Sequence, residues 1–106
     1  MVYVVTNYGG CESYTPSVFE HELSAMKEWF GLVIQNLYER DYITHKDLAH
    51  YQSLYQNTEN TKDMNDLITE IKYLSIANYG ITCNGVHIGE DGSENVIEFF
   101  ETEIDY

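Results

Sequence analysis

The chain has 106 residues, enough for one domain that buries roughly two-thirds of the surface its unfolded form exposes. With 43% hydrophobic residues, ten tyrosines and four phenylalanines, the composition excludes a disordered chain, because disordered chains are poor in aromatic residues. A formal charge of −13, from 18 acids against five Lys and Arg, argues against direct binding to nucleic acid or to anionic membranes and points to a basic partner.

In chain order, "MVYVVT" is a β-branched run and predicts a strand buried on both faces. "NYGGCESYTP" is rich in turn residues and predicts a loop. The clearest helix follows. Its start is read at Thr15 with Pro16 in the first helical position, or at Ser17 with Glu20 completing a capping box. Phe19, Leu23, Met26, Phe30, Val33 and Leu37 recur at helical spacing until the run ends near Arg40. Trp29, Ile34 and Tyr38 widen this stripe, so the helix is expected to be gripped from two sides and to form the spine of the domain.

Thr44 and Asp47 fit the start of a second helix, with Leu48, Tyr51, Leu54 and Tyr55 on its apolar side. "QNTENT" is turn-like. From about Thr61, the residues Met64, Leu67, Ile68, Ile71, Leu74 and Tyr79 predict a third helix that stops before Gly80. The period then changes to alternation. Asn84-Gly85 is a strong hairpin signal, and a two-residue loop there pairs Cys83 with Val86 and Ile81 with Ile88, all four facing the core, with Thr82 and His87 outward. A turn at "GEDGS" leads into a last strand from Glu94 or Asn95 to about Ile104. The first strand is expected to join this C-terminal meander, since a lone strand leaves its backbone groups unpaired. The expected architecture is α+β in a single domain, residues 1–106: a small antiparallel or mixed sheet in the order β-α-α-α-β-β-β, covered on one face by three helices.

Familiar chemistry is poorly supported. Cys11 and Cys83 are the only cysteines, and no C-x-x-C pair exists. Cys83 reads as a small core residue, and nothing in the sequence places a base such as His21 beside Cys11. A disulfide between the two is disfavoured in a reducing cytosol. His21-Glu22 lacks the second histidine of H-E-x-x-H, and His45 and His50 are spaced poorly for one helical face. "GEDGSEN" lacks the alternating ligands of a calcium loop, and "NYGG" is too short to cradle phosphate. No cofactor, no metal and no catalytic residue is expected. Tyr38, Tyr42, Tyr51 and Tyr55 read either as the edge of the core, each with a wet hydroxyl, or as an interface.

The charge pattern is more informative. Every Lys and Arg lies between positions 27 and 72, where five bases meet eight acids for a net of −3. The flanks hold ten acids and no Lys or Arg, and so carry −10 of the total. In the closing "NVIEFFETEIDY", Glu101, Glu103 and Asp105 occupy alternate positions. On a strand they share one face at ~6.8 Å intervals, an approximation to a row of nucleic-acid phosphates. A plainer role is to guard an edge strand against edge-to-edge pairing. Candidate partner-binding residues are Glu98, Glu101, Glu103 and Asp105, with Glu90, Asp91 and Glu94 in the turn before them.

In small size, acidity and aromatic content the chain resembles phage and plasmid proteins that mimic DNA to block restriction or CRISPR nucleases. That resemblance is one of composition and carries no motif. It implies a non-enzymatic inhibitor whose partner is a basic nucleic-acid-binding protein or nuclease. The alternative is an immunity or antitoxin protein that neutralises a basic nuclease toxin, and the third reading is a small enzyme using Cys11 or a histidine. There is no apolar run near the ~20 residues that cross a bilayer, and the N-terminus lacks the features of a signal peptide. The cytoplasm, that of the host cell for a phage-encoded protein, is therefore the expected location.

Overall fold

A computed structural model describes residues 2–9, 17–76, 81–82, 85–88 and 95–102. The chain runs β1 (Val2–Gly9), β2 (Ser17–Phe19), α1 (Glu22–Glu39), α2 (His45–Gln56), α3 (Thr61–Ile76), β3 (Ile81–Thr82), β4 (Gly85–Ile88) and β5 (Asn95–Thr102). The five strands form one antiparallel sheet in the order β2-β1-β5-β4-β3, and the fold is α+β with three helices. The first strand does join the C-terminal meander, pairing with β5 from Val2↔Thr102 to Gly9↔Asn95. Among the described residues no helix is long and apolar enough to cross a membrane.

α1 is the spine. Ala25, Met26, Trp29, Phe30, Val33, Ile34 and Leu37 are all buried, with Phe30, Val33 and Leu37 wholly so. Its stripe is wide because it serves two layers. Trp29 looks to the sheet, where its indole N–H donates to the Ile97 carbonyl of β5 at 3.1 Å. Phe30, one residue and ~100° further round the helix, meets the Tyr51 and Tyr55 rings of α2 at 6.1 and 5.5 Å. α3 packs beside α1 and reaches β3 and β4. Met64 and Ile71 of α3 are fully buried. β1 is buried on both faces, as its run of β-branched residues predicted: Val5 enters the helix-side core, and Val2, Val4 and Thr6 are buried at the alternating positions.

The helix boundaries follow local chemistry. α2 opens on a complete capping box: the Asp47 N–H donates to Thr44 Oγ1 and the Thr44 N–H donates to the Asp47 carboxylate, both at 3.1 Å. At α3 the Asp63 N–H donates to Asn60 Oδ1 at 2.9 Å, while the Asn60 amide donates to the Asp63 carboxylate at 3.0 Å. α1 ends in a Schellman motif. The Asp41 N–H bonds the Tyr38 carbonyl and the Tyr42 N–H bonds the Leu37 carbonyl, with Asp41 in the left-handed region at φ 62°.

Two local expectations are corrected. Residues 17–19 are not the start of the first helix but an edge strand, with Tyr3↔Phe19, Val4↔Val18 and Val5↔Ser17 in register. Ser17 and Glu20 spell a capping box, yet pairing satisfies the outer backbone groups of β1, which a helix would leave bare. α1 starts instead after His21, which supplies no side-chain cap. The hairpin is also displaced: Ile81 pairs with Val86 and Thr82 with Gly85. Gly85 is therefore a ladder residue, held opposite Glu98 of β5, and this second set of pairs decides the register over the local turn signal. Cys83 and Asn84 lie outside the described residues.

Candidate functional site

Alternation along β5 fixes where its acids stand. Ile97 is fully buried under α1 and Phe99 is half-buried, stacked on Tyr3 with ring centroids 6.2 Å apart. Glu101 is next in this series and is exposed, opposite Tyr3. The same face thus turns from core to solvent over four residues, as β5 runs out from beneath the helices. Glu98 belongs to the opposite series. It is half-buried between Thr6 on β1 and Gly85 on β4. Glu98 and Glu101 therefore do not form one surface, although both were candidates for it. Glu103 and Asp105, together with Glu90, Asp91 and Glu94, lie outside the described residues.

β5 is the third of five strands, not an edge along its length. Its ladder with β4 covers Asn95 to Glu98 only. From Phe99 to Thr102 it is paired, among the described residues, on the β1 side alone. Glu101 consequently sits on a half-open strand end, where one carboxylate serves either to meet a basic surface or to discourage further pairing.

A second acidic surface was missed in the sequence. Asp63, Asp66 and Glu70 follow the i, i+3, i+7 spacing of one helical face, and all three are exposed on α3. Counting charge by segment hid this stripe in a middle region whose net is only −3. Asp63 is partly committed to Asn60. Glu70 lies close enough to Tyr51 to matter: burial first, then the charges of Glu70 and Asp47, push the Tyr51 phenol above its ordinary 10.0.

The tyrosine cluster is largely core edge. Tyr38, Tyr51 and Tyr55 are half-buried against the core, with Tyr38 edge-on to His45 at 5.9 Å. Tyr42 is 41% exposed. Tyr55 also borders an open groove of about 540 Å³ between α1 and α2, whose walls include Lys27, Glu28, Gly31 and Gln52. Among the described residues, its walls hold no cysteine or histidine. Lys27 reaches the Gln56 carbonyl at 3.5 Å, at the C-terminal end of α2, where a cation complements the helix dipole. His21, His45 and His50 are exposed and lie on two different helices or their caps. Among the described residues no three His, Cys, Asp or Glu side chains are grouped to hold a metal ion. Cys11 lies outside the described residues. Comparison with protein families, curated protein sequences and solved structures finds no match to this chain.

Proposed function

We propose that the protein is a non-enzymatic inhibitor that occupies the nucleic-acid-binding surface of a basic protein, as anti-restriction and anti-CRISPR proteins do. The observation that carries this reading is the exposure of Glu101 where β5 leaves the core. Strand geometry delivers a carboxylate there on an element paired to β1, and Glu103 and Asp105 follow at alternate positions in the sequence. A carboxylate held on a paired strand costs less ordering entropy on binding than the same charge on a free tail. Its long-range field steers a basic partner whatever nucleic-acid sequence that partner reads.

The test compares charge reversals of equal size. Glu101, Glu103 and Asp105 changed together to Lys move the formal charge from −13 to −7. The matched set is Glu59, Asp66 and Glu70, three acids in and before α3. Asp47 and Asp63 are unsuitable for that set, because their carboxylates accept hydrogen bonds at helix starts, from the Thr44 N–H and the Asn60 side-chain amide. With a nuclease captured by the wild-type protein, the first triple variant is expected to abolish inhibition and the second to spare it. Loss in the second variant alone moves the surface to α3, equal loss in both reduces the effect to net charge, and no loss in either refutes the proposal. Cys11→Ser is expected to leave inhibition intact. If it abolishes inhibition at unchanged stability, an enzyme is the better reading.

A further inference from the structure

β2 closes one side of the sheet. Ser17, Val18 and Phe19 pair with β1 and, among the described residues, with no other strand. Phe19 stands opposite Tyr3 and packs on the core. Val18 stands opposite Val4, on the alternate face, and is 62% exposed. An outer strand offers a row of free N–H and C=O groups, and proteins normally guard it with charge, with proline or with a bulge. Ser17, Val18 and Phe19 supply no charge and no proline, and their register with β1 runs without interruption.

The charge lies at one end of this strand. Glu20 follows Phe19 directly and is exposed. Phe19, Tyr3 and Glu101 form one cross-sheet row, through Tyr3↔Phe19 and Tyr3↔Glu101. Glu101 is thus two strand spacings, ~10 Å, from Phe19, at the same end of the sheet as Glu20. Among the described residues, an apolar edge without charge or proline and two exposed carboxylates share that corner.

We infer that the outer edge of β2 accepts an extended basic segment of the partner protein as a sixth strand, with Val18 covered by an apolar side chain and the Lys or Arg side chains drawn to that corner by the charges of Glu20 and Glu101. The inference rests on the acidic-inhibitor reading, since charge selects the occupant. A second copy of this chain brings another −13 to the same edge, whereas a basic strand is drawn to it. Main-chain bonds supply affinity in strand addition, and alternate side chains supply the choice of partner.

The probe is a seven-residue peptide of alternating Lys and Val, with an alternating Glu and Val peptide as its counterpart, added to the full chain and followed by backbone amide NMR. The Lys peptide is expected to bind more tightly and to shift the amides of Ser17, Val18 and Phe19 most. Val18→Asp is the decisive variant, because it adds an attractive charge while removing the apolar contact. Strand addition predicts about tenfold weaker binding of the Lys peptide, the cost of losing one buried valine. Val18 is exposed, so the melting temperature of the variant is expected to match the wild type. Tighter binding by Val18→Asp shows charge alone at work and overturns the edge inference, leaving the acidic reading in place. Equal binding of the two peptides overturns both. Dimerisation of the wild type, abolished by Val18→Asp in sedimentation, makes a second copy the occupant and also overturns the inference.

Discussion

Phe30→Ala tests the central packing claim. Phe30 is wholly buried in α1 and joins α1 to α2 through Tyr51 and Tyr55. Truncating a buried phenylalanine removes its transfer free energy and leaves a cavity, together ~3–5 kcal/mol. A domain of this size has a total stability of only ~5–15 kcal/mol. The variant is therefore expected to remain folded but to melt on the order of 20 °C lower, at ~4–8 °C per kcal/mol. Denaturant unfolding followed by circular dichroism measures the loss, and an unchanged slope against denaturant shows that the native state keeps its extent of burial. Phe30→Leu paired with Tyr55→Leu in a double-mutant cycle isolates the ring contact, expected at ~0.5–1.5 kcal/mol. A loss below ~1 kcal/mol for Phe30→Ala would mean that α2 is not docked through this ring, and the two-layer grip on α1 would be wrong.

Three further outcomes follow from single contacts. The Thr44 bonds hold the Asp47 carboxyl below its ordinary 3.8, so its contribution to stability is fully present above that value and is lost as pH falls through the lower folded value; Asp47→Asn is expected to remove that acid-side dependence in melts between pH 2 and pH 6. Asp41→Gly places the residue best suited to φ 62° at the end of α1 and should raise stability by ~1 kcal/mol, read from the denaturant midpoint. Thr6 is buried and its hydroxyl has no partner among the described residues, so Thr6→Val should be neutral or stabilising by ~1 kcal/mol, and a clear loss in the same assay would show that the hydroxyl is satisfied after all.

Much of this fold was legible because local and long-range signals agreed. The α1 stripe, the Thr44–Asp47 box and the β-branched first strand each needed only their own residues. The failures came where a distant partner decided. Ser17 to Glu20 is locally a good helix start, but three residues are too few for alternation to outvote a capping box, and only the bare edge of β1 makes them a strand. Asn84-Gly85 is a strong turn signal by itself, yet β5 sets the register of β4 through Gly85↔Glu98. The acidic surface failed for another reason. Glu98 and Glu101 differ by an odd number of positions, so alternation alone puts them on opposite faces. The stripe at Asp63, Asp66 and Glu70 was equally readable from helical spacing, but a tally of charge by segment cannot see a face.

The acids divide into those that bond locally within the fold and those that act only through their field, and salt distinguishes the two. Asp47 and Asp63 accept short-range bonds at helix starts, and Glu39 accepts one from Gln35 at 3.2 Å. Such contacts respond weakly to screening, because the partner atoms are in direct contact. The remaining exposed carboxylates, Glu101 among them, act through a field that falls off within ~8 Å at physiological ionic strength. In the free protein that field is self-repulsion, from a net charge of −13 on a small domain, and it opposes folding. Toward a basic partner the same field is steering. Sodium chloride raised from 50 to 500 mM is therefore expected to increase the melting temperature of the free protein while slowing its association with the partner, with the dissociation rate changing less. A partner held chiefly by apolar contact predicts the reverse emphasis, with little change in association rate. A melting temperature that falls with salt would show that the exposed acids are offset by favourable ion pairs, and the field invoked for recognition would then be too weak to steer anything.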